Sequence, residues 1–175
     1  MTIPTAQCGR ESPQQPVAES FNSMISWKWA KFEELSALEV YDLLKLRQVV
    51  FAVEQNCAYL DADGKDIEAW HLLGMKSLGN GSHELVAYLR VLSPGLRFPE
   101  HAIGRVVTAP STRGQGTGRT LMMKALECIE AEFGAVPIRI SAQAYLEKFY
   151  RSLGFMVVGE PYLEDKIPHI EMLKQ

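Results

Sequence analysis

No stretch of this sequence reaches the ~18 consecutive apolar residues that a membrane-spanning helix needs, so no membrane partner is expected. The opening segment, MTIPTAQCGRESPQQPVAESFNS, lacks a basic start followed by an apolar run, so no signal peptide is expected. Cysteine is scarce. Cys8, Cys57 and Cys128 are far apart and form no C-x-x-C pair, which argues against a disulfide framework or a zinc cluster and fits a reducing cytoplasm. Basic runs are also missing, and the formal net charge is −3, so nothing points to DNA or RNA. No spacing resembles a metal site, and no internal repeat is present.

What is present is a core. The chain has 175 residues, 47% of them apolar, which suits one domain. Residues 1–24 are rich in Pro, Gln and Ser without periodicity and read as a flexible N-terminal extension. Residues 25–175 read as a single α/β domain. ISWKWAKF alternates as a strand does. Ser36 and Glu39 form an S-x-x-E capping box that opens a helix running to about Gln55. WHLLGMKSL, ELVAYLRVL and HAIGRVVTA are further strands. A second helix carries Leu121, Met122, Ala125, Leu126, Ile129 and Phe133 at helical spacing and stops at Gly134. VPIRISA is a strand, YLEKFYRSL a short helix, and FMVVGE and IPHIEMLK the last strands. The expected order is β-α-β-β-β-α-β-α-β-β.

Between the fourth strand and the second helix lies Arg113-Gly114-Gln115-Gly116-Thr117-Gly118-Arg119. A helix N-terminus offers unpaired N–H groups and a partial positive charge. Glycines let the backbone close on a bulky anion, so the loop reads as a phosphate or pyrophosphate site, with the two arginines as further donors. A P-loop would need Gly-Lys-Ser/Thr, and this loop has no lysine. A dinucleotide fingerprint would need G-x-G-x-x-G near the first strand, and here the spacing is G-x-G-x-G late in the chain.

RGQGTG resembles the Arg/Gln-x-x-Gly-x-Gly/Ala motif of the GNAT superfamily of acyl-CoA-dependent N-acyltransferases, with Arg113, Gly116 and Gly118 at the signature positions. SAQAYLEKFYRSLGF resembles that family's second hallmark, Asn-x-x-Ala-x-x-Phe-Tyr-x-x-Leu-Gly-Phe. Gln143 stands for the Asn and Leu146 for the Ala, while Phe149, Tyr150, Leu153, Gly154 and Phe155 match. LRQVVFAVEQNCAYLDADGKD, His71 and EDKIPHIEM are similar to the ElaA-like branch.

The resemblance implies a mixed, mostly antiparallel sheet, splayed between two parallel strands and flanked by helices. It implies acetyl-CoA as cosubstrate, its pantetheine arm on the backbone of Val106, Val107 and Thr108 and its pyrophosphate on the N–H groups from Gly114 to Arg119. Gln143 joins the cofactor side by its place in the motif. Tyr150 is the expected acid for the leaving thiolate. The acceptor would be a small-molecule or peptide amine, and a homodimer is compatible with the family. Members commonly carry a glutamate base on the fourth strand, and HAIGRVVTA holds none. Glu54, His71, Glu164 and His169 are the candidates elsewhere, and Glu54, His71 and His169 are expected to converge on the amine pocket. Cys57 reads as a small packed thiol. The carboxylates of the 54–66 segment suggest a site that draws in a cation. A different class of function, a coenzyme A-binding regulatory module without turnover, keeps the loop and dispenses with the base.

Overall fold

The computed structural model describes residues 24–79 and 81–175. The expected N-terminal extension, residues 1–24, lies outside them except for Met24. The strands are β1 (Ile25–Lys31), β2 (Trp70–Ser77), β3 (His83–Leu92), β4 (His101–Thr108), β5 (Ile138–Gln143), β6 (Met156–Val157), β7 (Tyr162–Glu164) and β8 (Ile167–Lys174). They form one sheet in the order β1-β2-β3-β4-β5-β8-β6, with β7 also pairing with β8. Among the described residues β4–β5 is the one parallel pair. The helices are α1 (Ala37–Arg47), α2 (Thr117–Phe133) and α3 (Glu147–Arg151).

Two features differ from the sequence expectation. Strand β7 was not anticipated: it is three residues long, and its hairpin turn, Asp165–Lys166, contains no glycine. Both turn residues nonetheless take positive φ (50° and 66°), as a tight hairpin demands. The second difference is the first helix. Ser36 caps it as expected, its Oγ accepting from the Glu39 N–H at 3.2 Å while Glu39 Oε2 accepts from the Ser36 N–H at 2.8 Å. The α-helix then ends at Arg47 and continues as a π-helix over Gln48–Glu54. The Gln55 N–H reaches the Val50 carbonyl at 3.0 Å, the i to i−5 bond that defines this wider turn.

Strand β3 sits between two apolar layers. Ala87, Leu89 and Val91 share a cluster with Leu121, Met122, Ala125 and Ile129 of α2. Val86 and Tyr88 share the other with Leu43, Leu46 and Val50. Burial on both faces explains the unbroken apolar run of ELVAYLRVL, and each buried Leu or Ile stabilises by about 1.5–3 kcal/mol. Gly74 in β2 is a packing glycine, since a Cβ there would come within 2.7 Å of the Trp27 ring.

On the α1 side the core holds charge. Arg47 is fully buried and donates through Nε to Asp61 (2.6 Å) and through Nη1 to Asp66 (2.8 Å). Arg90 reaches Asp66 (2.7 Å) and Asp63 (2.5 Å), and Arg105 reaches Asp61 (2.6 Å). The acidic loop that suggested a cation site therefore spends its carboxylates on three arginines from α1, β3 and β4. Burial pushes the Asp66 carboxyl up, but Arg47 and then Arg90 outweigh it and hold it below the usual range. Asp63 is likewise depressed, with burial opposed by Arg90.

Removing one member of such a buried set leaves acids short of a partner. Arg47→Met should therefore cost about 3–5 kcal/mol in urea unfolding. Because both carboxyls have folded pKa values below the unfolded ~3.9, their contribution is complete above about pH 4 and is lost as pH falls further. The acid-side drop in stability should be shallower in Arg47→Met than in the parent, and an equal slope would place it in other groups.

Candidate active site

Strands β4 and β5 pair at three positions only, His101 with Ile138, Ala102 with Arg139 and Ile103 with Ile140. Beyond that point β4 stays with β3 and β5 stays with β8, out to Gln143 opposite His169. The two parallel strands therefore diverge. On β4 the register slips: Arg90 faces Gly104 and Tyr88 faces Val107, so Arg105 and Val106 share the space opposite Leu89. This bulge holds Arg105 at φ 54°, a left-handed conformation that residues with a Cβ rarely adopt.

The divergence opens a cavity of about 550 Å³. Val106, Val107, Thr108, Arg113, Gln143 and Tyr150 line it, as do Glu54 and His169 from the acceptor set. Gly114 to Arg119 lie outside its walls, in the loop that follows Arg113 and opens α2. Thr112 anchors that loop: it is fully buried, and Thr117 Oγ1 donates to its carbonyl at 3.2 Å. Gly114 and Gly116 take φ of 74° and 80°, which explains glycine at both. Gly116 is the N-cap of α2 and has no side chain with which to close the first turn. Gln115 Nε2 donates to the Ser111 carbonyl at 3.2 Å.

The two loop arginines face different ways. Arg113 forms a two-pronged pair with Glu54, Nη1 to Oε1 at 2.6 Å and Nη2 to Oε2 at 2.9 Å, and this pair holds the Glu54 carboxyl below its usual range. Arg119 instead donates to Ser152 Oγ at 2.8 Å, fastening the start of α2 to the end of α3. Gln143 Nε2 reaches Gln55 Oε1 at 3.3 Å. Tyr150 is 5% exposed, with Phe149 and Phe155 edge-on to its ring. Burial pushes its phenol well above the ordinary value, so it stays protonated at neutral pH.

The expected convergence of Glu54, His71 and His169 is corrected for His71. Glu54 and His169 reach the cavity, but His71 is fully buried elsewhere. Its Nε2 lies 2.9 Å from the Asp66 carbonyl and its Nδ1 2.9 Å from Tyr88 Oη. A carbonyl only accepts, so Nε2 carries the proton and Nδ1 accepts from the phenol. This is a structural imidazole, neutral because burial lowers its pKa. His169 Nδ1 lies 2.8 Å from the Ile167 carbonyl.

Sequence reasoning missed several wall residues. These are Arg105 and Arg97; Glu164, one of the expected base candidates, lines the cavity too, bonded to Ser141 Oγ (3.2 Å) and to Arg97 (3.3 Å). Tyr162 Oη bonds the same Ser141 hydroxyl. The pattern that could have flagged Arg105 is a charged residue after Gly104 inside an otherwise apolar strand. Among the described residues no group of His, Cys, Asp and Glu is arranged to hold a metal ion, and no helix is long and apolar enough to cross a membrane.

A diverging parallel strand pair with a glycine loop at its carboxyl end defines the class: this is an acyltransferase fold of the GNAT type. A profile of the acetyltransferase (GNAT) domain matches residues 80–175. ElaA of Escherichia coli is 43% identical over 154 residues, covering 87% of this chain and 97% of its own. The crystal structure of E. coli ElaA superimposes with a TM-score of 0.79 and covers 87% of this chain and 100% of that one. An acyl-CoA N-acyltransferase from Pseudomonas aeruginosa has a TM-score of 0.80 at 41% identity, over 86% of this chain and 99% of its own. An aminoglycoside 6′-N-acetyltransferase solved with coenzyme A shares the fold at 17% identity and a TM-score of 0.58, over 84% of this chain and 96% of its own. The chain belongs to the GNAT acetyltransferase family, and within it to the ElaA-like proteins.

The His71 assignment has a pH signature. Its folded pKa lies below the unfolded ~6.5, so as pH falls through that value protons favour the unfolded chain and stability declines. His71→Gln should remove the step that begins as pH falls below about 6.5 while leaving ligand binding intact. A step of equal size in that variant would assign it to another group.

Proposed function

We propose that the protein transfers the acetyl group of acetyl-CoA to a primary amine by direct attack. The observation that carries this reading is the divergence of β4 from β5, which leads from the glycine loop to Tyr150. Where β5 has left, the edge of β4 along Val106, Val107 and Thr108 can pair with the amides of a pantetheine arm. Gln143 faces the same channel from β5. The pyrophosphate sits on the N–H groups from Gly114 to Gly118, where an uncapped helix start favours negative charge. Arg113 adds its charge at the rim, and Arg119 closes the cradle, its own N–H on the Gly116 carbonyl (3.0 Å) and its side chain on Ser152.

The neutral amine attacks the thioester carbonyl, the backbone N–H groups of β4 stabilise the developing oxyanion, and the thiolate leaves. Tyr150 gives its phenol proton to that sulfur, and the proton shed by the attacking nitrogen restores the phenol. We assign His169 to the acceptor side; Glu54 lines the same cavity but is held by Arg113 beside the glycine loop. A free coenzyme A thiol as product and the free thiols of Cys57 and Cys128 fit a cytoplasmic protein.

Acetyl-CoA should raise the melting temperature, by the equivalent of about 2.7 kcal/mol at a hundred times its Kd. Gly118 gives a cleaner test of the loop than Gly116, whose positive φ makes any substitution strained. A Cβ on Gly118 meets only Thr108 Cγ2 at 3.9 Å, so Gly118→Glu should fold and place a carboxylate where the phosphate belongs. The ligand response should vanish in this variant; an undiminished response moves the anion site elsewhere. Tyr150→Phe should keep the response and lose roughly 10²–10⁴-fold in kcat. Equal turnover at every pH would remove Tyr150 from the mechanism.

A further inference from the structure

The charges left facing the cavity are not those that the acidic segment suggested. Asp63 reaches the wall, but both its oxygens lie on Arg90, at 2.7 and 2.5 Å. Asp61 is shared by Arg47 and Arg105. Of the three arginines in this cluster, Arg105 is the one that lines the cavity. Its side chain is 15% exposed. Its Nε and Nη2 are bonded to Asp61, at 2.6 Å to the carboxylate and 3.3 Å to the carbonyl, Nη2 also lies 3.5 Å from Asp63 Oδ2, and Nη1 takes part in none of these contacts. The guanidinium lies 5.6 Å over the Tyr59 ring.

So an arginine is fixed from two sides and carried on a strained backbone. Left-handed residues with a Cβ persist only where their surroundings over-determine them, and they gather at ligand sites. With Nε and Nη2 held this way, Nη1 is the end of the guanidinium left to meet a carboxylate. Arg97 stands on the same cavity, paired with Glu164 at 3.3 Å. Glu164, Asp165 and His169 supply acceptors for an ammonium. The cavity wall therefore offers both a guanidinium and acceptors for an ammonium. Arg105 lies three residues before Thr108, about 10 Å along the strand from the glycine-loop end.

We propose that Arg105 docks a carboxylate of the acceptor, so that the amine acetylated belongs to a molecule that also carries an acid group. This rests on the acyl-transfer reading above and names its substrate class: free amino acids or the carboxyl ends of peptides. A simple diamine would place a cation against Arg105. A cation beside the acceptor also lowers the pKa of its ammonium and raises the fraction of neutral amine, an aid in a chain whose β4 holds no carboxylate.

The test measures thiol release from acetyl-CoA with the twenty amino acids, their amides and the corresponding decarboxylated amines. A second arm uses tripeptides with free or amidated carboxyl ends. The acids of one arm or both should show KM values about tenfold to a hundredfold below their uncharged partners, the span of one charged hydrogen bond. The responding arm identifies the source of the carboxylate. Arg105→Asn should abolish this preference by raising KM for the acids far more than for the decarboxylated amines. Asn tolerates the left-handed backbone, and Asp61 keeps Arg47 at 2.6 Å, so the variant should fold. Equal KM for acids and amides, or a preference that survives in Arg105→Asn, overturns the proposal and leaves the acyltransferase reading standing. If no amine releases thiol, the acyltransferase reading fails by itself, and thermal shift then decides the role of Arg105. Stabilisation by free acids, absent with the amides and in Arg105→Asn, supports it; no stabilisation by any acid overturns it.

Discussion

Two parallel strands that pair for three residues and then part set the layout of this structure. β4 goes on with β3 and β5 with β8, and after Ile103 and Ile140 the pairing between them stops. Everything functional follows from that gap. The helix after each strand begins at the same end of the sheet, which brings the glycine loop of α2 and Tyr150 of α3 to the two sides of one opening. Ligands in open α/β sheets gather outside the carboxyl ends of parallel strands for the same reason. Here the position is inside the sheet itself, because the strands separate instead of twisting apart at a crossover.

The second constraint is electrical. Three guanidinium groups and three carboxylates are packed beside the gap, formally neutral as a set. Their bonds run from α1 to β3, to β4 and to the 61–66 loop, so the segment carrying Cys57, Tyr59 and Leu60 into the cavity is tied to the sheet by charge more than by apolar contact. A loop rich in aspartate and poor in hydrophobic anchors can be rigid under that arrangement. Each bond needs its partner, since an unmatched buried charge is far more costly than a matched one is helpful.

Much of this was legible in the sequence. The capping box at Ser36, the stripe from Leu121 to Phe133 and the strand runs follow from local periodicity, and these elements stand where the pattern puts them. The glycine loop was legible because its constraint is local: left-handed φ at Gly114 and Gly116 demands glycine. Long-range pairing was not legible. Asp61, Asp63 and Asp66 look like an exposed acidic turn until arginines from 14 to 44 residues away close on them. His71 reads as a possible base for the same reason, since Tyr88 and the Asp66 carbonyl, which make it structural, come from other elements. Strand β7 escaped because three residues carry no periodicity, and the β4 bulge because a register slip leaves no mark on a single strand.

The π-helical stretch from Gln48 to Glu54 has a consequence for how this chain can change over time. Such a stretch is what one extra residue in an α-helix produces. It lets one continuous helix bury Val50 on the sheet and still deliver Glu54 to Arg113. Losing a single residue there would restore ordinary winding and turn all that follows by about 100°. Glu54 and Gln55 would then leave the cavity wall together. Length in this short segment is fixed far more tightly than side-chain identity, so substitutions can accumulate in it where a one-residue deletion cannot.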